Sequence, residues 1–199
     1  MMIPIDEDIK GLIFDCDGTL VDSMPAHWQA WQETFQEYDL DCPVSWLEQH
    51  AGVPIKETLL KYLEEFSIEK YIDTDEFVAK KHARSLEKLR FVKAVQPVVD
   101  IVLKYHSVLP MCVASGGNRQ NVLTSLEAIQ IARYFDIVIT SDDPVAGKPN
   151  PDIFLYAAYR MKVKPQYCLV FEDGEMGITA AREAGMKVFD VRTLTTQPE

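Results

Sequence analysis

Asp15 and Asp17 stand two positions apart in the stretch GLIFDCDGTLVDS (11–23), just past an apolar run. A carboxylate can attack phosphorus and form an acyl phosphate, which is itself labile. A second carboxylate can protonate the departing oxygen and later activate water. Residues i and i+2 of an extended chain share a face, and a turn at Gly18 keeps both carboxylates on one side. Asp15 and Asp17 are therefore the candidate catalytic pair. Glu172 and Asp173 offer two more carboxylates, and a phosphate among them would add further negative charge. Such groups cannot all stay ionised without a counter-ion. Mg²⁺ meets that need, because it takes oxygen ligands and bridges carboxylates to phosphate. Lys148 supplies a fixed cation, and Pro149 after it favours an extended backbone that aims the side chain. Ser115, with Gly116 and Gly117, offers a hydroxyl and open backbone N–H groups at a helix start, a cradle for an anion. Taken singly, each feature also has a structural reading: a solvated turn, a helix cap, a surface lysine.

The elements that would position these residues are legible as five short apolar runs: GLIFDC (11–16), LPMCVAS (109–115), FDIVIT (135–140), YCLVFED (167–173) and MKVFDV (186–191). They are nearly continuous rather than alternating, as strands buried on both faces are. Helical patterns separate the later four: 118–130 with Asn118 as a cap, 151–161 opening on Pro151, and 175–185 stopping at Gly185. The alternation predicts an α/β fold with a doubly wound parallel sheet and right-handed crossovers. Ligands in such sheets sit beyond the C-terminal strand ends. Asp15, Asp17, Ser115, Lys148, Glu172 and Asp173 all fall there, on four separate segments.

The stretch 22–93 breaks the alternation and reads as all helix. Trp28, Trp31, Phe35 and Tyr38 form one stripe, Ile55, Leu59, Leu60 and Leu63 another, and Asp73 is an N-cap for a long final helix. It predicts a small all-helical insertion after the first strand, lying over the site. The division expected is a core of residues 1–20 and 94–199 with an insertion of 21–93. The helix of 96–106, with Pro97 in its first turn, returns the chain to the core. Lys80, Lys81, His82, Arg84, Lys88 and Arg90 make the last inserted helix basic: a solvated face, or a patch that draws anionic substrates inward. No internal repeat or low-complexity segment is present, and the tail TLTTQPE is expected to fray.

The chain has 199 residues, 47% hydrophobic and 26% charged, with a formal charge of −11. That suits one globular domain with a modest insertion. The acidity argues against nucleic acid and anionic membranes as partners, since both select cationic surfaces. Cys16, Cys42, Cys112 and Cys168 form no CxxC pair and read as reduced core residues of a cytoplasmic protein. The N-terminus is acidic and lacks the apolar segment of a secretory leader, and no apolar run reaches membrane-spanning length. A monomer is expected.

The motifs DCDGT, VASGG, GKPNPD and FEDGEMGI together resemble the four motifs of the haloacid dehalogenase superfamily, over essentially the whole chain. The resemblance implies Asp15 as nucleophile and Asp17 as general acid/base, with Ser115, Gly116 and Lys148 binding the phosphoryl group. It implies Mg²⁺ held by Asp15, the Asp17 carbonyl and Asp173, with Glu172 assisting through water. It also makes the insertion a C1-type cap. The superfamily's dehalogenases lack the second aspartate and need no metal, so Asp17 and the Glu172–Asp173 pair favour phosphoryl transfer. Within the group, the chain resembles β-phosphoglucomutases and sugar-phosphate phosphatases of the fructose-1-phosphatase type. Both share the pattern seen here as DSMPAHWQAW, where His27 would touch the leaving group or steady Asp17. The mutases carry an arginine after a Gly-Val and a lysine three residues past the motif II serine. Here Ile55, with Lys56 beside it, and Asn118 occupy those places. Two lost cationic grips favour a phosphatase of a small phosphorylated metabolite over a mutase, which must bind a bisphosphate both ways round; Lys56 could compensate. A reading from another class is a phospho-aspartate switch or sugar-phosphate sensor without turnover. Receiver domains also pair acids with Mg²⁺, but at the third strand, which ends here in VITSDDPVAGK, and they have no such insertion.

Overall fold

The structure is a computed structural model and describes residues 5–194. It divides into two compact units, residues 1–23 with 91–199 and residues 24–90. The first holds a five-stranded sheet of β1 (Gly11–Phe14), β4 (Met111–Ala114), β5 (Ile137–Ile139), β6 (Cys168–Glu172) and β7 (Lys187–Asp190). Their order is β5-β4-β1-β6-β7, and every pairing is parallel. Helices α5 (Gln96–Tyr105), α6 (Arg119–Ala128), α7 (Asp152–Met161) and α8 (Glu175–Glu183) fill the crossovers. Two apolar clusters make the layers. One packs Val98, Val102, Val122 and Leu126 of α5 and α6 against Leu12, Phe14, Val113 and Phe171. The other packs Ile153, Phe154, Ala157, Ala180 and Ala181 of α7 and α8 against Ile13, Cys112 and Val170. Adjacent strand residues therefore enter opposite layers, which explains why β1, β4 and β6 are buried along their whole length. The α/β doubly wound class read from the sequence is the class observed.

Two caps follow the sequence. Asn118 Oδ1 accepts from Asn121 N at 2.9 Å at the start of α6. Gly185, with φ +71°, follows the last residues of α8 in the left-handed conformation that stops a helix.

The second unit packs α1 (Met24–Gln36), α2 (Val44–Gln49), α3 (Ile55–Glu65) and α4 (Thr74–Leu89) around Trp31, Phe35, Trp46, Leu59, Tyr62 and Phe77. Asp73 Oδ1 accepts from Asp75 N and Glu76 N, both at 3.0 Å, and caps α4.

The structure corrects several expectations. The sequence boundaries at 20/21 and 93/94 fall instead at 23/24 and 90/91. The cause is a pair of two-residue strands, β2 (Val21–Asp22) and β3 (Lys93–Ala94), which pair antiparallel within the first unit. On α3 Leu60 is exposed, and Tyr62 takes the inward place, where its hydroxyl donates to Asp41 O. The basic stretch of α4 is not a free cationic face. Lys80 pairs with Glu37 at 3.1 Å and Glu76 at 2.7 Å, Arg84 with Glu37, and Lys88 with Glu33 at 2.8 Å. Lys81 is buried at 5% exposure, its Nζ 5.2 Å from the Trp31 ring centroid. These carboxylates cancel most of the field the cluster would project.

All four cysteines are free and buried. Burial pushes the Cys42 thiol up to about 12 and the Cys168 thiol to about 11, so both are neutral at ordinary pH. Among the described residues no helix is long and apolar enough to cross a membrane. The expected fraying of the tail falls mostly on residues 195–199, outside the described residues.

Candidate active site

The site begins with two phenylalanines. Phe14 and Phe171 are register partners on β1 and β6, and their rings stack with centroids 4.8 Å apart. Burying each is worth about 2–3 kcal/mol, so the register is firmly held. The next residue on each strand is a carboxylate, Asp15 and Glu172, and Asp15 N donates to Phe171 O at 3.0 Å. Side-chain alternation turns both acids toward the layer that contains Phe154.

Lys148, on the loop after β5, meets them there. Its Nζ donates to Asp15 Oδ1 at 2.6 Å and to Glu172 Oε1 at 2.5 Å, and lies 5.2 Å from the Phe154 ring centroid. All three side chains are nearly buried, at 10% exposure or less. The second Glu172 oxygen accepts from Gly174 N at 2.7 Å. Burial alone would lower the lysine; attraction to Asp15 and Glu172 outweighs it and holds the ammonium above its ordinary range.

Asp173 completes the cluster. It takes a hydrogen bond from Thr19 Oγ1 at 2.9 Å. Gly18, φ +83°, makes the turn after Asp15, and a Cβ there would overlap the Asp173 carboxylate. Glycine is thus required twice over, for the left-handed turn and for the close approach. One carboxylate oxygen from each of Asp15, Glu172 and Asp173 lies within 4.8 Å of the others.

One ammonium does not balance three crowded carboxylates. Burial pushes the Asp15 acid well up; Lys148 opposes this, while Glu172, Asp173 and Asp17 reinforce it. Asp173 is pushed up to about 6 by burial and by Glu172. This all-oxygen, over-acidic donor set fits a hard divalent cation such as Mg²⁺.

A pH dependence follows. An acid whose folded pKa lies above its unfolded value makes the native state bind extra protons, so stability falls as pH rises between the two values. For Asp173 the window runs from its ordinary 3.8 to about 6, a loss of about 3 kcal/mol. Urea midpoints of chelator-treated protein should therefore fall between pH 4 and 6.5, less so in Asp173→Asn. Added Mg²⁺ should raise the midpoint more at pH 6.5 than at pH 4; equal shifts would count against the cation site.

Asp17 and Ser115 form the other wall. Asp17 Oδ1 accepts from Ser23 Oγ at 2.5 Å. Ser115, fully buried after β4, accepts from Gly117 N through its Oγ at 3.0 Å. A Cβ built on Gly117 would lie 3.3 Å from Ser115 Oγ and 3.4 Å from Asp17 Oδ2, so all three converge. The expected row of open N–H groups is partly used: Gly117 N by Ser115, Arg119 N by Asp142 Oδ2 at 3.0 Å, and Asn121 N by Asn118. Gly116 is exposed, with open space where a side chain would stand.

Three candidates remain: Asn118, His27 and Lys56. Asn118 is the cap of α6. His27 and Lys56 belong to the helical unit: His27 Nδ1 is 3.3 Å from Lys81 Nζ, and Lys56 is exposed and pairs with Asp75 at 3.7 Å. The acids Asp142 and Asp143, which resemble a receiver's third-strand aspartate in sequence, both accept hydrogen bonds from Arg119. The sequence reading missed that pairing; its one signal was the unabsorbed pair of acids.

Three comparisons bear on this geometry. A family model described as haloacid dehalogenase-like hydrolase matches residues 12–191. The chain is 35% identical to the fructose-1-phosphate phosphatase of Escherichia coli over 195 residues, covering 94% of this chain and 99% of the relative. It is 31% identical to the validoxylamine A 7′-phosphate phosphatase of Streptomyces hygroscopicus over 192 residues, 94% and 86% of the two chains. A β-phosphoglucomutase structure from Clostridium difficile superposes with a TM-score of 0.80 at 23% identity, over 94% and 87% of the chains, a likeness of fold.

Proposed function

This chain belongs to the haloacid dehalogenase-like hydrolases, and on that premise we propose that it is a Mg²⁺-dependent phosphatase of a small phosphorylated metabolite, a sugar phosphate by class, working through Asp15. It is a phosphoric monoester hydrolase: the family and the phosphatase relatives support that level. The observation that carries the finer reading is the Lys148 ammonium bridging Asp15 and Glu172 with Asp173 alongside.

Asp15 attacks phosphorus; the bond to its carboxylate oxygen forms as the ester P–O bond breaks. Asp17 gives its proton to the departing alcohol, then takes one from the water that hydrolyses the aspartyl phosphate. Ser115 Oγ, Gly116 N–H and Lys148 hold the phosphoryl oxygens, donors set before the charge moves. Glu172, with one oxygen on Lys148 and the other on Gly174 N, keeps the ammonium aimed. Bound Mg²⁺, held by Asp15, Asp173 and the Asp17 carbonyl with Glu172 behind them, would offset the crowded charge and shield the nucleophile from the phosphoryl group.

A panel of phosphorylated metabolites tests the reading, with β-glucose 1-phosphate plus a catalytic amount of bisphosphate among them. Metal-dependent release of inorganic phosphate from sugar phosphates is expected. Glucose 6-phosphate formed without free phosphate would replace the phosphatase by a mutase, and no turnover of any ester would leave a sensor. The engagement of Lys56 with Asp75, and the place of Asn118 as a cap, support the single-phosphate reading.

A further inference from the structure

Lys148 sits at the end of a long irregular segment, TSDDPVAGK (140–148), yet its ammonium must be held to a fraction of an ångström. What stiffens that segment is a link to the loop that carries Ser115. We infer that Arg119 and Asp143 form a clamp between these two loops and act as positioning residues for Ser115 and Lys148. The inference rests on the phosphatase reading above.

Arg119 is the first residue of α6, so it follows directly on the loop of Ser115. Its Nη2 donates to Asp143 Oδ2 at 2.7 Å and to Val138 O at 3.2 Å. The same Asp143 oxygen accepts from Thr140 N at 2.8 Å and Thr140 Oγ1 at 3.2 Å. Thr140 is fully buried, and the Asp143 side chain is 17% exposed. Arg119 N donates to Asp142 Oδ2 at 3.0 Å, and Ser141 N donates to Gly117 O, also at 3.0 Å. Ser115 N itself donates to Ile139 O. The two loops are thus joined by side chain and backbone on both sides of Thr140. Around Lys148 the chain makes a tight local turn, where Asn150 N and Nδ2 both donate to Gly147 O. A charged donor with two acceptors fixes direction as well as distance. Between these anchors Val145 N donates to Asp143 O at 2.8 Å, and the Val145 side chain packs against the core.

The two partners differ in what their loss would do. Without Asp143, Thr140 N is left buried and unsatisfied, so part of the effect would be structural. Without the Arg119 side chain, Asp143 keeps Thr140; the bonds lost are those from the guanidinium to Asp143 and to Val138 O, while the backbone links between the loops remain. Arg119→Ala is therefore the cleaner probe, Arg119→Lys the conservative one, and Asp143→Asn with the double variant closes the cycle.

With para-nitrophenyl phosphate, Arg119→Ala should lower kcat/KM about ten-fold to a hundred-fold, as small displacements of positioned groups do. The inhibition constant of inorganic phosphate should rise in step, and Arg119→Lys should fall between. The half-saturating Mg²⁺ concentration should change less than kcat/KM, because Asp15 and Asp173 follow β1 and β6 and not the two clamped loops. The double variant should be no worse than Asp143→Asn alone. Unchanged kinetics would overturn the clamp; so would a loss that tracks Tm and the Mg²⁺ response together, which is what a merely structural residue would give. Wild-type protein without turnover on any ester would sink the phosphatase reading instead. Amide exchange then decides the clamp by itself: faster exchange across 141–148 in Arg119→Ala supports it, and equal rates end it.

Discussion

Asp15→Asn is expected to abolish phosphate-ester turnover, by about four orders of magnitude or more, as removal of a covalent nucleophile does. The amide keeps the carboxylate's shape but has no electron pair basic enough to attack phosphorus. The fold should survive. Asp15 is one of three crowded acids, and Lys148 retains Glu172 as a partner. The urea midpoint should move little, which separates lost chemistry from lost structure. In the wild type, acid-quenched enzyme mixed with substrate should carry a phosphoryl group on the peptide containing Asp15. Asp17→Asn should behave differently: turnover of sugar phosphates, with their basic leaving alkoxides, should fall far more than turnover of aryl phosphates, whose leaving groups need little protonation. Should Asp15→Asn still turn over while Asp17→Asn is dead towards both, the roles assigned to the pair are reversed.

Lys148→Ala is expected to cost the most stability. The lysine is a nearly buried cation between two nearly buried carboxylates. Deleting one partner of a buried pair typically costs about 3–5 kcal/mol, because the remaining charge is left uncompensated. Here two carboxylates would be left facing one another. The pH dependence has a definite sign. The folded pKa of Lys148 is raised, so its contribution is complete throughout the neutral range and is lost only at strongly alkaline pH. Asp15, whose acid form Lys148 disfavours, takes up a proton more readily in the variant as pH falls, so the deficit against wild type should shrink from pH 7 to pH 5. Mg²⁺ should recover part of the stability at pH 7 by restoring counter-charge. Turnover should stay low, about 10²–10³-fold down, since a positioned donor to the phosphoryl oxygens is gone. Chemical denaturation at both pH values, with and without Mg²⁺, reads all of this. A deficit that does not depend on pH would mean that the cost comes from packing against Phe154 and not from charge.

The core was legible because its strands are buried on both faces and leave an unbroken apolar signature, as in LVF of β6 and CVA of β4. The acidic residues at the ends of β1 and β6 drew notice because polar residues there have no packing reason to follow such runs. The caps Asn118 and Asp73 were readable from chemistry that is local to the chain. What escaped was non-local or too short. The strands Val21–Asp22 and Lys93–Ala94 have two residues each and carry no periodicity. On α3, the 3.6-residue repeat permits either Leu60 or Tyr62 near the inward stripe, and the tertiary core chose the ring. Lys81 was counted with a solvated face; its long apolar stem and its contact with Trp31 let it enter the interior. The ion pairs of Lys80, Arg84 and Lys88 join α4 to α1, and no pattern along α4 alone announces them.

The little antiparallel ladder of Val21–Asp22 and Lys93–Ala94 brings the two ends of the inserted segment side by side within the first unit. Closure entropy grows only with the logarithm of the length enclosed. Everything between those ends is therefore a detour whose size the sheet scarcely feels. Variation of the inserted module in length or sequence is a change made beyond the ladder that closes its ends.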